Sequence, residues 1–169
     1  ESKSGERGIF SRIAAQNVAA KNGRRDSDHK FGTNPCSEII LRPYQFCNLS
    51  EVVVRAIDTK QTLRVKVKHA TVLGTLQATL TDFRYLRNIW KRNTEEEALL
   101  GVSLTGIMDC SITNGSAGEA ATAKFLSELR EIAVETNKVM AEKLGINQST
   151  AITCVKPSGT VSQLTDSAS

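Results

Sequence analysis

Asn34, Cys36 and Glu38 stand at alternate positions in Gly32-Thr33-Asn34-Pro35-Cys36-Ser37-Glu38, and a second thiol, Cys47, follows eleven residues after the first. Alternate residues of an extended backbone project from one face, so a carboxamide, a thiol and a carboxylate could converge there on one small molecule. Pro35 favours that geometry, because it fixes its own φ and pushes Asn34 toward extended backbone. A carboxylate within hydrogen-bond reach of a substrate hydroxyl is a general base, and the amide can orient both partners. Each residue also has an ordinary use. Cys36 and Cys47 could be small buried hydrophobes, Asn34 a turn former before proline, and Glu38 an exposed charge ahead of Ile39-Ile40-Leu41. A second candidate lies near the other end, in Lys156-Pro157-Ser158-Gly159-Thr160-Val161-Ser162. Its small hydroxyl residues and glycine expose backbone N–H groups, which suits a phosphate, although the Walker spacing is absent. An ordinary polar turn is the alternative.

The elements that must position these residues follow from periodicity. Phe10, Ile13, Ala14 and Val18 fall on one face of a short helix, and 22–28 is expected to be an exposed loop. Residues 48–55, with Val52, Val53 and Val54, are expected to form a buried strand. Residues 63–68 alternate apolar and basic side chains as a half-exposed strand would. Leu73, Leu76, Leu80, Phe83, Leu86, Ile89 and Trp90 keep a helical period over 71–90, and Thr94 with Glu95–Glu97 resembles a capped, acidic first turn. Residues 101–108 are expected to be a strand. Ser116 and Glu119 have capping-box spacing at the head of a helix over 119–144, with a stripe of Leu126, Leu129, Ala133, Thr136, Met140 and Leu144 and a cap at Gly145. A short apolar strand, 151–155, delivers the chain to the Pro157 loop. Strand, helix, strand and loop in this order is α/β grammar.

Composition narrows the function classes. The chain has 169 residues, 40% of them hydrophobic and 24% charged, enough for one globular domain. No apolar run approaches a bilayer span, and Glu1-Ser2-Lys3-Ser4 lacks signal-peptide character. The net charge of +4 divides unevenly: residues 1–92 hold 17 Lys/Arg against 8 Asp/Glu, and 93–169 hold 5 against 10. A basic first half suits an anionic ligand. Basic residues are scattered and aromatics make up only 5%, which favours a phosphorylated small molecule over nucleic acid. Cysteines at 36, 47, 110 and 154 form no Cys-x-x-Cys pair, and two histidines are too few for a structural zinc site. Reduced cytoplasmic thiols are the expectation, with Cys110 and Cys154 structural and no metal bound.

Asn-Pro-Cys-Ser-Glu, Cys47-Asn-Leu-Ser-Glu-Val and the Lys-Pro-Ser-Gly-Thr-Val-Ser segment together resemble the catalytic subunit of ribonucleotide reductases, in wording most similar to the class II, adenosylcobalamin-dependent triphosphate reductases. The resemblance runs from Gly5 to Ser169, with Arg7 departing from the proline expected near that point. It implies a fragment of a ten-stranded α/β barrel, 1–169 being one incomplete domain, with Asn34–Glu38 on a finger loop at the barrel centre. It implies a helix where 63–68 alternates. It also implies roles. Cys36 carries a transient thiyl radical that removes the ribose 3′ hydrogen, Glu38 is the base on the 3′ hydroxyl, and Asn34 orients substrate and carboxylate. Cys47 is one half of the redox pair that supplies two electrons as the 2′ hydroxyl leaves as water; the other half lies upstream of Glu1. Pro157, Ser158, Gly159, Thr160, Val161 and Ser162 hold the substrate phosphate. The implied cofactor is adenosylcobalamin, the implied reductant thioredoxin or a similar dithiol, with no nucleic acid or membrane partner. Three other readings stay open: a class I large subunit with a di-metal radical partner, a non-catalytic nucleotide-binding module, and a thiol-disulfide protein working through Cys36 and Cys47.

Overall fold

The computed structural model describes residues 8–168; the turn around Arg7 lies outside the described residues. The elements are α1 (Arg12–Ala20), β1 (Gly32–Thr33), β2 (Ile40–Leu41), β3 (Asn48–Val53), α2 (Lys60–Gln77), α3 (Asn88–Glu97), β4 (Leu100–Thr105), α4 (Glu119–Leu144) and α5 (Val161–Leu164), with one 3-10 turn at Ile107–Asp109. No helix among the described residues is long and apolar enough to cross a membrane.

The scaffold is a parallel sheet covered by helices. β3 and β4 pair in parallel from Asn48 opposite Leu100 to Val53 opposite Thr105. Residues 151–154 run along β4's other edge: Val102 N–H donates to the Ile152 carbonyl and Cys154 N–H to the Val102 carbonyl, around a parallel bridge from Val102 to Thr153. The expected strand there is thus a short ladder. β4 is flanked on both edges, and its residues are buried except Leu104, which is half-buried. Parallel neighbours need long crossovers; α2 and α3 supply the first and α4 the second. Val52, Val54, Leu63, Val67, Leu100, Val102, Phe125, Leu129, Ala133 and Ile152 form one core. Each large member contributes about 1.5–3 kcal/mol of burial.

α2 overrides the alternation at 63–68. Thr59 accepts from Thr62 N–H and Thr62 Oγ1 accepts from Thr59 N–H, a reciprocal cap that starts the helix. Leu63, Val67, Ala70, Thr71 and Gly74 then face inward, while Val65 stays exposed. Four-residue spacing, not two, decides which side chains reach the core.

The single helix expected over 71–90 is two. α2 stops at Gln77, and 79–86 forms successive turns, with Leu80 N–H bonded to the Gln77 carbonyl and Leu86 N–H to that of Phe83. Leu73, Leu76 and Leu80 are exposed, so their periodicity marks no core stripe here. Thr94–Glu97 is the last turn of α3 rather than a first turn, and Ala98 closes it in a left-handed conformation at φ +44°. The acids do not cap; Thr94 and Glu97 point into a buried polar cluster.

α4 spans its expected range and ends at Gly145, whose positive φ permits the C-terminal cap. Its N-cap is Gly118 with no side-chain bond, so the Ser116 box does not form; Ser116 N–H is held by Asn114 Oδ1 instead. Its buried face is Thr122, Phe125, Leu129, Ala133, Thr136, Asn137 and Ala141, rotated from the expected stripe so that Leu126 is exposed. α1 shows the same kind of rotation: Ala15 and Ala19 are buried, and Phe10, Ile13 and Val18 are exposed.

Candidate functional site

The Asn34–Glu38 segment is the tip of an antiparallel hairpin, with Gly32 opposite Leu41 and Thr33 opposite Ile40. Its residues do not alternate along an extended chain as expected. Ser37 N–H bonds back to the Asn34 carbonyl at 3.0 Å, and Ser37 adopts φ +64°. Pro35 therefore serves a tight turn, a use equally compatible with its fixed φ. Asn34 locks the turn, its Oδ1 accepting from Ile39 N–H at 3.0 Å. This is the turn-forming use of Asn34, and the same amide also favours the ionised form of Glu38. Cys36 is exposed at the tip.

The hairpin is anchored by a residue expected in an exposed loop. Arg25 is buried, its Nε and Nη2 each 2.8 Å from a Glu97 carboxylate oxygen, and its Nη1 2.8 Å from the Ile40 carbonyl. Phe31 lies under the guanidinium at 4.6 Å. Gln45 donates to Glu97 and to the Asn93 carbonyl. The planar five-donor fork of arginine satisfies β2, the hairpin's return and α3 at once. Nothing local in Arg24-Arg25-Asp26 distinguishes the buried arginine from its exposed neighbour.

Glu38 turns away from solvent. Its side chain is only 1% exposed, Oε1 lies 3.5 Å from Lys156 Nζ, and Oε2 is buried without a hydrogen-bond partner. Burial pulls its carboxyl upward, but bonds from its own backbone and Asn34, together with the Lys156 charge, outweigh that and hold it below the usual carboxylate range. Cys47 and Cys154 sit within reach of this charge. Burial and the neighbouring Glu38 push the Cys47 thiol up, and burial, Glu38 and Cys47 push Cys154 up to about 12. Both are therefore neutral thiols, suited to giving up hydrogen rather than acting as thiolate nucleophiles.

Gly101 of β4 makes room for this cluster. A Cβ there would collide with the Leu49 side chain and stand 2.9 Å from Ile39 Cδ1 and 3.1 Å from Cys154 Sγ. Glycine is needed for close approach, not for its φ.

The Pro157–Ser162 segment follows the 151–154 ladder and bends into the single turn of α5. Ser158 and Ser162 are buried, with Ser162 N–H and Oγ both bonded to the Ser158 carbonyl, while Gly159 and Thr160 are exposed. Ser158 Oγ is buried without a partner. The start of the loop is pinned by Lys156 N–H donating to Ser103 Oγ at 3.0 Å.

The structure thus joins Asn34, Glu38 and Cys47 with the foot of the Pro157 loop, and leaves Cys36 exposed two residues away. Lys156, which the sequence offers as a counter-charge for the phosphate loop, contacts Glu38 instead, and Cys154 joins the cluster. Cys154 was expected to be merely structural; Cys110, buried with Sγ 3.8 Å from the Asp58 carbonyl, is. Lys156 precedes a recognisable motif, which is the only local signal for it. Cys154 carries none. No group of three or more metal-ligating side chains occurs among the described residues.

No protein-family model matches the chain. Curated relatives do. It is 30% identical to an adenosylcobalamin-dependent ribonucleoside-triphosphate reductase of Lacticaseibacillus paracasei, over 96% of this chain and 25% of the relative. It is 29% identical to the enzyme of that name from Lactobacillus helveticus over 81% of this chain and 21% of the relative, and 27% identical to that of Lactobacillus leichmannii over 79% and 21%. The chain therefore spans about a fifth to a quarter of the length of the relatives it matches. Among solved structures, a B12-dependent, class II ribonucleotide reductase superposes with a TM-score of 0.64 at 23% identity, over 81% of this chain and 22% of that one, a likeness of fold. The chain is thus similar in sequence to one segment of adenosylcobalamin-dependent ribonucleoside-triphosphate reductases, and in fold to one segment of a class II ribonucleotide reductase.

Proposed function

We propose that this chain is the part of a class II ribonucleotide reductase that carries the thiol and carboxylate chemistry, reducing ribonucleotides, as triphosphates, to 2′-deoxyribonucleotides. The observation that carries the reading is Glu38: a buried carboxylate held ionised by Asn34 and Lys156, with one oxygen left without a partner, on the hairpin that presents Cys36. An unpaired buried oxygen costs about 1–3 kcal/mol or more for a charged group, and a substrate hydroxyl would satisfy it.

In this reading Cys36, as a thiyl radical, takes the 3′ hydrogen while Glu38 takes the 3′ hydroxyl proton. The 2′ hydroxyl leaves as water, Cys47 and an upstream thiol supply two electrons and two protons and become a disulfide, and Glu38 and Cys36 return the proton and the hydrogen to the 3′ position, which restores the thiyl radical. A neutral Cys47 suits that donation. Pro157–Ser162 receives the phosphates at Gly159 and Thr160, with Lys156 at its foot. Adenosylcobalamin, when bound, supplies the radical-generating chemistry. An exposed Cys36 on a braced hairpin fits a thiol that must be met from outside this segment, and no described residue is assigned to hold the cofactor. The ten-stranded barrel around the finger, a dithiol reductant such as thioredoxin and a cytoplasmic location belong to the same proposal.

The test uses the full-length chain with ribonucleoside triphosphate and dithiothreitol, with and without adenosylcobalamin. Cofactor-dependent deoxynucleotide formation, abolished in Cys36→Ser, is the expected result. Activity that requires a separate metal-bearing subunit would move the same site to class I, and no reduction under either condition would leave a nucleotide-binding module.

A further inference from the structure

Lys156 joins two sites that the chemistry uses separately. Its ammonium lies 3.5 Å from Glu38 Oε1, at the long end of an ion pair, and its backbone begins the Pro157–Ser162 loop. The backbone is fixed to β4 through Ser103 Oγ, whereas the side chain is 26% exposed and its flexible stem leaves the charge free to choose a partner. Glu38, 1% exposed, has no such freedom. Among the described residues Lys156 is the cation in direct contact with the carboxylate. Of the other cations nearby, Arg25 is bound to Glu97, Arg130 pairs with Glu131, and Arg24 is an exposed residue of the cleft that Glu38 lines. Cys47 and Cys154 are thiols pushed up by burial and by Glu38, and Glu51, with Oε1 buried and unpartnered, adds a second negative charge near Cys154.

We propose that Lys156 is a substrate-operated counter-ion: it balances Glu38 in the free enzyme and transfers to the substrate's phosphates when they enter the Pro157–Ser162 loop, leaving Glu38 a stronger base as the ribose arrives. The inference rests on the function proposed above. Its physical content is a competition for one ammonium between a single carboxylate charge and a polyphosphate of higher charge. An opposite charge at this range favours the ionised carboxylate, so losing it raises Glu38's proton affinity. The base is then held ionised while idle, and approaches its useful range only when substrate is bound.

The pH profiles of kcat/KM and kcat separate free enzyme from complex. In Lys156→Gln the acidic limb of kcat/KM should move up by about one unit, while the acidic limb of kcat stays with wild type; Lys156→Arg should leave both limbs in place. A lysine that merely supports the fold would move neither limb selectively. A second measurement needs no turnover and no lysine variant. Calorimetry of ribonucleotide binding in buffers of different ionisation enthalpy should show proton uptake by wild type on the acidic side of neutrality, lost in Glu38→Gln. Equal movement of both limbs, or binding without proton uptake, overturns the proposal while leaving ribonucleotide reduction intact. Full-length wild type that neither binds nor reduces ribonucleotides overturns the function itself, and this inference with it.

Discussion

Two buried polar side chains in different regions of the molecule, each about 1% exposed, are bonded very differently. Asn137 of α4 donates to Thr75 Oγ1 at 3.0 Å and Ser149 Oγ at 2.9 Å, and accepts from Ser149 N–H at 2.9 Å. Its bonding capacity is spent on tying α2, α4 and the approach to 151–154 together. Glu38 of the hairpin has its side chain buried as deeply, yet keeps Oε2 unpaired, and Ser158 Oγ, two residues beyond its ion-pair partner Lys156, is also without a partner. Satisfied polar groups specify a fold; unsatisfied ones store a cost that a ligand can relieve.

Opposite responses at those two positions would sharpen the comparison. In the full-length chain, Glu38→Gln should lower kcat by about 10²–10⁴-fold, the usual contribution of a general base, with little loss of stability. Asn137→Ala should do the reverse, leaving kcat near wild type and costing roughly 1–3 kcal/mol for the orphaned Ser149 and Thr75 groups, read from denaturant unfolding. A stability loss at Glu38 as large as at Asn137 would erase the distinction.

The Arg25–Glu97 pair tests whether the hairpin is positioned by the buried cluster. Arg25→Ala strands the Glu97 carboxylate and should cost about 3–5 kcal/mol, with the hairpin's return strand loosened first. Hydrogen exchange at Ile40 and Leu41 would report it. Gly101→Ala should cost less, about 1–3 kcal/mol of overpacking, and should raise KM or lower kcat by displacing Ile39 and Cys154. Unchanged kinetics in that variant would mean that the crowded spot beside Cys154 does not matter to the site.

Smaller effects follow from charge. Glu38 titrates below its ordinary value of 4.5 in the folded chain, so its ionised form contributes stability above that value, and the contribution is lost as pH falls toward the lowered folded value. Glu38→Gln should flatten that part of the acid-unfolding curve. Thiol alkylation near pH 8 gives the mildest test: Cys36 should react first, and Cys154, raised to about 12, far more slowly. Equal rates would mean that the two thiols share one environment.

Much of the backbone was legible because its signals are local. The range of α4, its glycine stop and the Asn48–Val53 strand, expected over 48–55, follow from periodicity and caps that neighbouring residues carry. Legibility failed where two local readings competed. The 63–68 alternation lost to a Thr59–Thr62 cap and four-residue spacing. The 71–90 stripe was broken at Gln77, and its Leu73, Leu76 and Leu80 face outward. The acids of 95–97 looked like a helix start because composition does not state direction along the axis.

What the sequence by itself determined is the inventory: an amide, two thiols and a carboxylate near one turn, a polar loop after an apolar run, and α/β order. Tertiary structure alone decided which of these meet. Lys156 reaches Glu38 across 118 residues, Arg25 reaches Glu97 across 72, and Cys154 settles against Gly101. Those encounters depend on the β3–β4 register and on the ladder beside it, which set three distant stretches side by side. Sequence spacing carries information over a turn or two of helix or a strand's length; beyond that, the packing of the sheet chooses the neighbours.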